Sequence, residues 1–247
     1  MLTSPLAQFE IKKIIPLEIL GHDLSFTNSS LAMTFTVVAI AIFMYFGLRN
    51  LSVIPSKSQT LVESSYEFIS DMINDNIGDQ GMKYFSFIFT LFLFILIGNL
   101  LGMLPYSFTW TSHIIVTFSI AFFIFLGVTC IAIYKHGLTK FLQFFAPSGV
   151  PKPMLILLVP IEIISYLSRP ISLSVRLFAN MMAGHTLLKV IAGFVFVLGA
   201  NSYIIGGALP LAFLIALTGL EIVIAFLQAY VFAILTCLYI NDAIHLH

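Results

Sequence analysis

Apolar residues in this chain are gathered into long blocks separated by short polar punctuation, and the blocks have the length of membrane spans. About 20 helical residues cross a hydrocarbon core roughly 30 Å thick. Residues 30–48, containing LAMTFTVVAIAIFMYFGL, predict a first span, with Arg49 and Lys57 marking its far end. Residues 84–104, closed by Pro105, predict a second, and residues 112–134 a third. The final third of the chain holds two longer apolar segments, 154–198 and 207–240, joined by the turn GANSYIIGG. At 1.5 Å per residue, the part from Pro160 to Leu198 alone would measure on the order of 58 Å. Fitting it in the core needs a tilt of about 60° or a break into two shorter spans. Pro170 can kink a helix, but Gly–Pro-type turn chemistry is absent from the middle of either segment. Two long, strongly tilted helices forming a hairpin are therefore expected.

Residues 58–77 carry a different pattern. Glu63, Glu67, Asp71 and Asp75 recur every four residues, while Leu61, Phe68, Ile69, Met72 and Ile73 fall on the remaining arc. At 100° per residue this separates an acidic face from an apolar one, as in a helix lying at the membrane interface. Interfacial helices that bind anionic lipid carry Lys and Arg, so an acidic face points instead to a protein neighbour. Residues 1–26 are mixed in character. The expected architecture is a single all-α polytopic membrane domain over 1–247: three transmembrane helices, an interfacial amphipathic helix and the C-terminal hairpin.

Composition reinforces the pattern. Only 9% of residues are charged and 60% are hydrophobic, which excludes a soluble domain of this size. The formal net charge is zero, so nothing points to nucleic acid or an acidic substrate. Cys130 and Cys237 lie inside apolar runs and read as small buried hydrophobes rather than a disulfide or metal site. Neither a basic n-region with a short apolar h-region nor an Arg-rich presequence opens the chain. With three spans before the hairpin, Arg49, Lys57, Lys83, Lys135, Lys140 and Lys152 share one side, against Lys12 and Lys13 on the other. By the positive-inside rule the richer side is cytoplasmic, or the matrix side of a mitochondrion. The C-terminus belongs there too, and the N-terminus outside.

Charge is scarce enough that its position is informative. An ionisable group at mid-bilayer depth costs about 2.5–3.5 kcal/mol even on the lenient scale, and such groups are functional candidates by default. On the first hairpin helix Glu162, Ser165, Arg169, Ser172 and Asn180 all fall within about 40° of Arg176, forming one polar stripe. His185, nine residues beyond Arg176, rotates to the opposite side. On the second helix Glu221 and Gln228 share a face with Ala225 between them, and Asp242 ends the apolar run. The predicted topology puts Glu162 and Asp242 toward one membrane surface and His185 and Glu221 toward the other, with Arg176 between. Two half-paths interrupted by a permanent cation cannot leak protons directly. They can exchange protons only through a carrier that moves past Arg176, such as a carboxylic acid on a partner. Arg169 reads as pairing with Glu162 or snorkelling within protein, Lys189 as a snorkelling side chain, and Asn99 and His113 as interhelical or interfacial hydrogen bonders. No P-loop, GxSxG, HExxH or facing histidine pair appears, nor the internal repeat of an antiporter or an oxygen-rich sodium site.

The strings SLSVRLFANMMAGH and GLEIVIAFLQAYVFAILTCLYINDAIHLH resemble subunit a of the rotary ATP synthase, the second being close to its mitochondrial version. The opening SPLAQFEI is similar to fungal relatives. The resemblance implies a non-catalytic stator of the membrane sector that clasps a ring of c subunits, alongside peripheral-stalk and other membrane-sector subunits. It implies no cofactor and no metal, protons as the transported species, and ATP chemistry on other subunits. It maps the essential arginine onto Arg176. The half-channel toward matrix or cytoplasm maps onto Glu162 and Asp242, and the opposite one onto His185, Glu221, Asn180 and Gln228. Bacterial members usually place an acid at the position of His185 and a histidine at that of Glu221. This exchange, with the two strings, implies a mitochondrial inner membrane location, the N-terminus in the intermembrane space and the C-terminus in the matrix. Ala179 stands where many relatives have glycine, and by analogy with fungal relatives a short leader, residues 1–3, would be cleaved.

Overall fold

The computed structural model describes residues 9–16, 18–19, 22–23, 25–49, 51–104, 107–145, 152–201 and 203–245. The proposed leader 1–3, Pro105 and the loop prolines Pro147 and Pro151 lie outside them. Among the described residues the chain is all but entirely helical, and five of its helical stretches are long and apolar enough to cross a membrane. The exceptions are two small antiparallel pairings near the start, which the mixed pattern of residues 1–26 did not announce. Strand β1 (Lys13–Ile15) pairs with β4 (Phe26–Thr27), and β2 (Glu18–Ile19) with β3 (His22–Asp23).

Six α-helices follow: α1 (Asn28–Leu48), α2 (Lys57–Ile77), α3 (Phe85–Gly102), α4 (Ile114–Phe144), α5 (Lys152–Asn201) and α6 (Tyr203–Ile244). The chain gathers into two compact units. The first holds residues 1–62, 92–113 and 177–230; the second holds 63–91, 114–176 and 231–247.

In the first unit α1 starts where the Thr27 hydroxyl accepts from the Ser30 amide, an N-cap that satisfies one of the helix's orphan donors. Thr36 is its fully buried polar point. Trp110, on a 3₁₀ turn after α3, donates its indole N–H to the Thr36 hydroxyl at 3.2 Å. Gly98 makes this approach feasible, because a Cβ there would sit 2.4 Å from the indole ring. Asn99 is fully buried and donates to the Ala225 carbonyl of α6 at 3.4 Å, the interhelical role its polarity in an apolar span predicts.

In the second unit α2 keeps Glu63, Glu67, Asp71 and Asp75 exposed and buries Ile69, Met72, Ile73 and Ile77. Leu61 and Phe68, placed on the apolar arc by the sequence pattern, are exposed. The helix ends at Gly78, whose positive φ of 77° lets its amide return to the carbonyls of Ile73 and Asn74. A 3₁₀ turn, Asp79–Tyr84, leads into α3. Helix α4 runs ten residues past the apolar limit at 134, with a break at Gly137, where φ is 81°. Polarity at Lys135 and His136 ends the apolar run, but it does not forbid helix.

Helices α5 and α6 contribute to both units. Both are assigned as unbroken helix through their prolines, Pro160 and Pro170 in α5 and Pro210 in α6. The nine-residue turn expected between them narrows, since α5 continues to Asn201 and α6 begins at Tyr203.

Candidate functional site

In the first unit α5 and α6 face one another through polar side chains that the surrounding apolar sequence makes conspicuous. His185 and Glu221 are 8% and 5% exposed, and Nδ1 of the imidazole lies 2.8 Å from Oε1 of the carboxyl group. The distance is that of an ion pair, while the N–H···O line is bent outside hydrogen-bond range. The other ring nitrogen, Nε2, meets the Thr109 hydroxyl at 3.0 Å, and that hydroxyl donates to the Gly102 carbonyl at 3.0 Å. A hydroxyl has one proton. With it directed to Gly102, Thr109 accepts from Nε2–H, which leaves Nδ1 bare in the neutral ring. Nδ1 and the Glu221 carboxyl group thus face each other directly, an imidazole and an acid in contact inside the apolar helices.

The helix backbone leaves room for this. A Cβ on Gly184 would lie 2.7 Å from Glu221 Oε1, too close for the carboxyl group to stay where it is. Further along, Asn180 Nδ2 donates to Gln228 Oε1 at 2.8 Å. As the α5 partner advances from 180 to 185, the α6 partner retreats from 228 to 221, the signature of antiparallel packing. Glu221 Oε2 and Gln228 Nε2 are buried with no protein partner among the described residues. Buried polar atoms of this kind call for water or a ligand.

In the second unit the charged group is Arg169. The sequence suggested Glu162, seven residues back, as its partner. Instead Arg169 Nη1 bonds Asp242 Oδ2 of α6 at 2.9 Å. Its guanidinium carbon lies 5.4 Å from the Tyr166 ring centre and 5.1 Å from that of Tyr239, within cation–π range of both. Tyr166 is in turn fixed by a 2.7 Å hydrogen bond to Thr129 of α4. This frame is only partly covered, with the Arg169 side chain 24% and the Asp242 side chain 48% exposed. Glu162 is half-buried and makes no hydrogen bond or ion pair with Asp242. The two residues expected to share one half-path are thus not linked by a direct bond among the described residues.

Arg176 is exposed, and among the described residues it makes no hydrogen bond or ion pair. Ser165, Ser172 and Asn180 are exposed as well, Glu162 and Arg169 of the predicted stripe are half-buried, and His185 is buried. Sequence reasoning missed Thr109, Tyr166, Tyr239 and Gly184. A hydroxyl in a turn and tyrosines in apolar helices carry no local signal of their partners. Gly184, one residue before His185, offered the only hint.

The chain matches the family model described as ATP synthase A chain over residues 30–241. ATP synthase subunit a of Pelagibacter ubique (strain HTCC1062) is 59% identical over 248 residues, covering 100% of each chain. That of Allorhizobium ampelinum is 57% identical, covering 99% of this chain and 98% of the relative. That of Paramagnetospirillum magneticum is 51% identical, again over 100% of both. These relatives are bacterial, so the mitochondrial and fungal part of the resemblance receives no support from them. With a family match over most of its length and relatives this similar from end to end, the chain belongs to the ATP synthase A chain family, whose members here are ATP synthase subunit a.

Proposed function

We propose that this chain is the proton-conducting stator subunit of a rotary ATP synthase, a non-catalytic membrane component beside a ring of c subunits. The observation that carries the proposal is Arg176: a permanent cation, exposed on an apolar helix, with no carboxylate of its own chain in ion-pair range among the described residues. Its counter-charge must come from outside, and a carboxylic acid on a passing c subunit meets that need. Such an acid crosses lipid neutral and ionises beside the arginine, because a nearby opposite charge favours the charged form. The buried pair of His185 and Glu221, with Asn180 and Gln228 alongside, serves the half-channel that faces the outer side. Glu162 serves the half-channel of the opposite side, and Asp242, held by Arg169, contributes there as a fixed charge rather than as a relay. A membrane potential then supplies about 2.3 kcal/mol per proton per 100 mV. ATP chemistry stays on other subunits, and peripheral-stalk subunits anchor the stator. The acidic face of α2 is a candidate surface for one of them.

Lysine and arginine counting orients the C-terminus toward the positive, inner side and the N-terminus outward. The location has two readings. The C-terminal string and the His185/Glu221 arrangement resemble the mitochondrial subunit and favour a mitochondrial inner membrane. The bacterial sources of the relatives favour a bacterial cytoplasmic membrane, and fractionation of the source cells distinguishes them.

The test is Arg176→Ala in the complex reconstituted into vesicles. ATP synthesis driven by an imposed proton gradient is expected to vanish while the assembled complex persists. Retained coupled synthesis would overturn the proposal.

A further inference from the structure

Within the second unit a cavity of about 490 Å³ opens beside the ends of α3, α4 and α6. Its polar rim is made by Gln80, Lys83, Tyr84, Tyr134 and Lys135, and its apolar wall by Ile131 and Ile244 among others. The rim has a regularity in the sequence. Tyr84 opens the second apolar run and Lys83 precedes it; Tyr134 closes the third and Lys135 follows it. Consecutive spans run in opposite directions, so the start of one and the end of the next lie at the same membrane surface. Each span therefore contributes a tyrosine at the apolar boundary and a lysine one residue beyond it, on one interface.

Neither lysine has a carboxylate in ion-pair range among the described residues. Lys135 is steadied by a neutral partner, donating to Gln80 Oε1 at 3.0 Å, which leaves its charge uncompensated. Nearby acids do not cancel the pair: Asp79, four residues before Lys83, is exposed on its turn and in no ion pair among the described residues, and Asp242 is engaged by Arg169. A cavity with two uncompensated cations, two phenols and an apolar wall descending along a membrane helix matches one kind of ligand. Tyrosines sit at headgroup depth, and basic pockets between spans on the positive side take anionic headgroups.

We propose that this cavity binds an anionic glycerophospholipid, its phosphodiester between Lys83 and Lys135 and an acyl chain along Ile131. The site is independent of the proton path, using none of the residues assigned to it. Each interfacial lysine is worth about fivefold in affinity, so the pair accounts for roughly 30-fold.

The test uses the assembled complex in phosphatidylcholine vesicles, labelled with a photoactivatable phosphatidylglycerol or a matched phosphatidylcholine probe and read by peptide mass spectrometry. The anionic probe is expected to label segments 80–84 and 130–135 well above the zwitterionic one. Lys83→Gln with Lys135→Gln should lower that labelling about 30-fold, and Lys83→Arg with Lys135→Arg should preserve it. Should the glutamine variant not assemble, competition on the unmodified complex decides. Excess unlabelled phosphatidylglycerol should remove the label, and inorganic phosphate should not. Equal labelling by both probes, unchanged labelling in the glutamine variant, or displacement by phosphate would each overturn the lipid assignment. So would crosslinking of these segments to another subunit with no lipid label.

Discussion

The two polar clusters on the C-terminal helices solve the problem of charge in an apolar chain in opposite ways. His185 and Glu221 are buried, 2.8 Å apart, and framed by neutral groups from Thr109, Asn180 and Gln228. Arg169 and Asp242 are just as close, at 2.9 Å, but half open and flanked by two tyrosine rings. The decisive difference is the cation. An imidazole gives up its proton near neutrality, whereas a guanidinium never does so in a protein. In the proposed half-channel, the first pair is the one whose two members both have chemistry suited to exchanging a proton. The second holds a permanent charge, so Asp242 is tied as an anchored counterion. Proximity of opposite charges does not by itself mark a proton relay; the chemistry of the base does.

Substitutions can break or sharpen this contrast. The largest effect is expected at Glu221. Glu221→Gln should lower gradient-driven ATP synthesis about 100-fold, the scale of a lost proton-transfer group, with complex assembly retained on native gels. Asp242→Asn should cost under about tenfold in the same assay, because a partly exposed pair contributes at most about 1 kcal/mol. Equal losses would erase the distinction. Double-mutant cycles on thermal denaturation of the complex should give a coupling of about 2 kcal/mol or more for His185 with Glu221. For Arg169 with Asp242 about 1 kcal/mol or less is expected.

The smallest effect belongs to a second histidine of the same unit. His113, on the turn just before α4, stacks on Phe108 with ring centres 5.0 Å apart, and burial holds its pKa below the ordinary 6.5. Its neutral form is the one the fold accommodates. The unfolded chain protonates more readily, so the contribution to stability is complete above about pH 6.5 and is lost as pH falls toward the lowered value. His113→Phe should flatten the dependence of Tm on pH below about 6.5, read by thermal denaturation across that range.

Much of this was legible in the sequence. Apolar run lengths predicted the membrane helices, and four-residue acid spacing predicted the exposed face of α2. The wheel separated the exposed Arg176 from the buried His185. These are properties of one helix at a time, fixed by a repeating angle. What escaped depends on a second element. The partner of Arg169 is Asp242, not Glu162, because α6 brings a carboxylate 73 residues distant within reach and the Tyr239 ring with it. Thr109 reaches His185 from a turn 76 residues earlier. The short N-terminal pairings rest on cross-chain hydrogen bonds that mixed polarity does not encode.

Gly184 has a consequence for heredity. Every single-nucleotide change in a glycine codon that alters the amino acid adds a Cβ, and here a Cβ would stand 2.7 Å from Glu221 Oε1. Each such change therefore asks the Glu221 carboxyl group to leave its place beside His185, the end of a flexible side chain giving way before the helix backbone does. Shortening that residue to aspartate withdraws the carboxyl group by one methylene, so a lineage that lost the glycine has a ready accommodation in the facing helix, at the codon for residue 221.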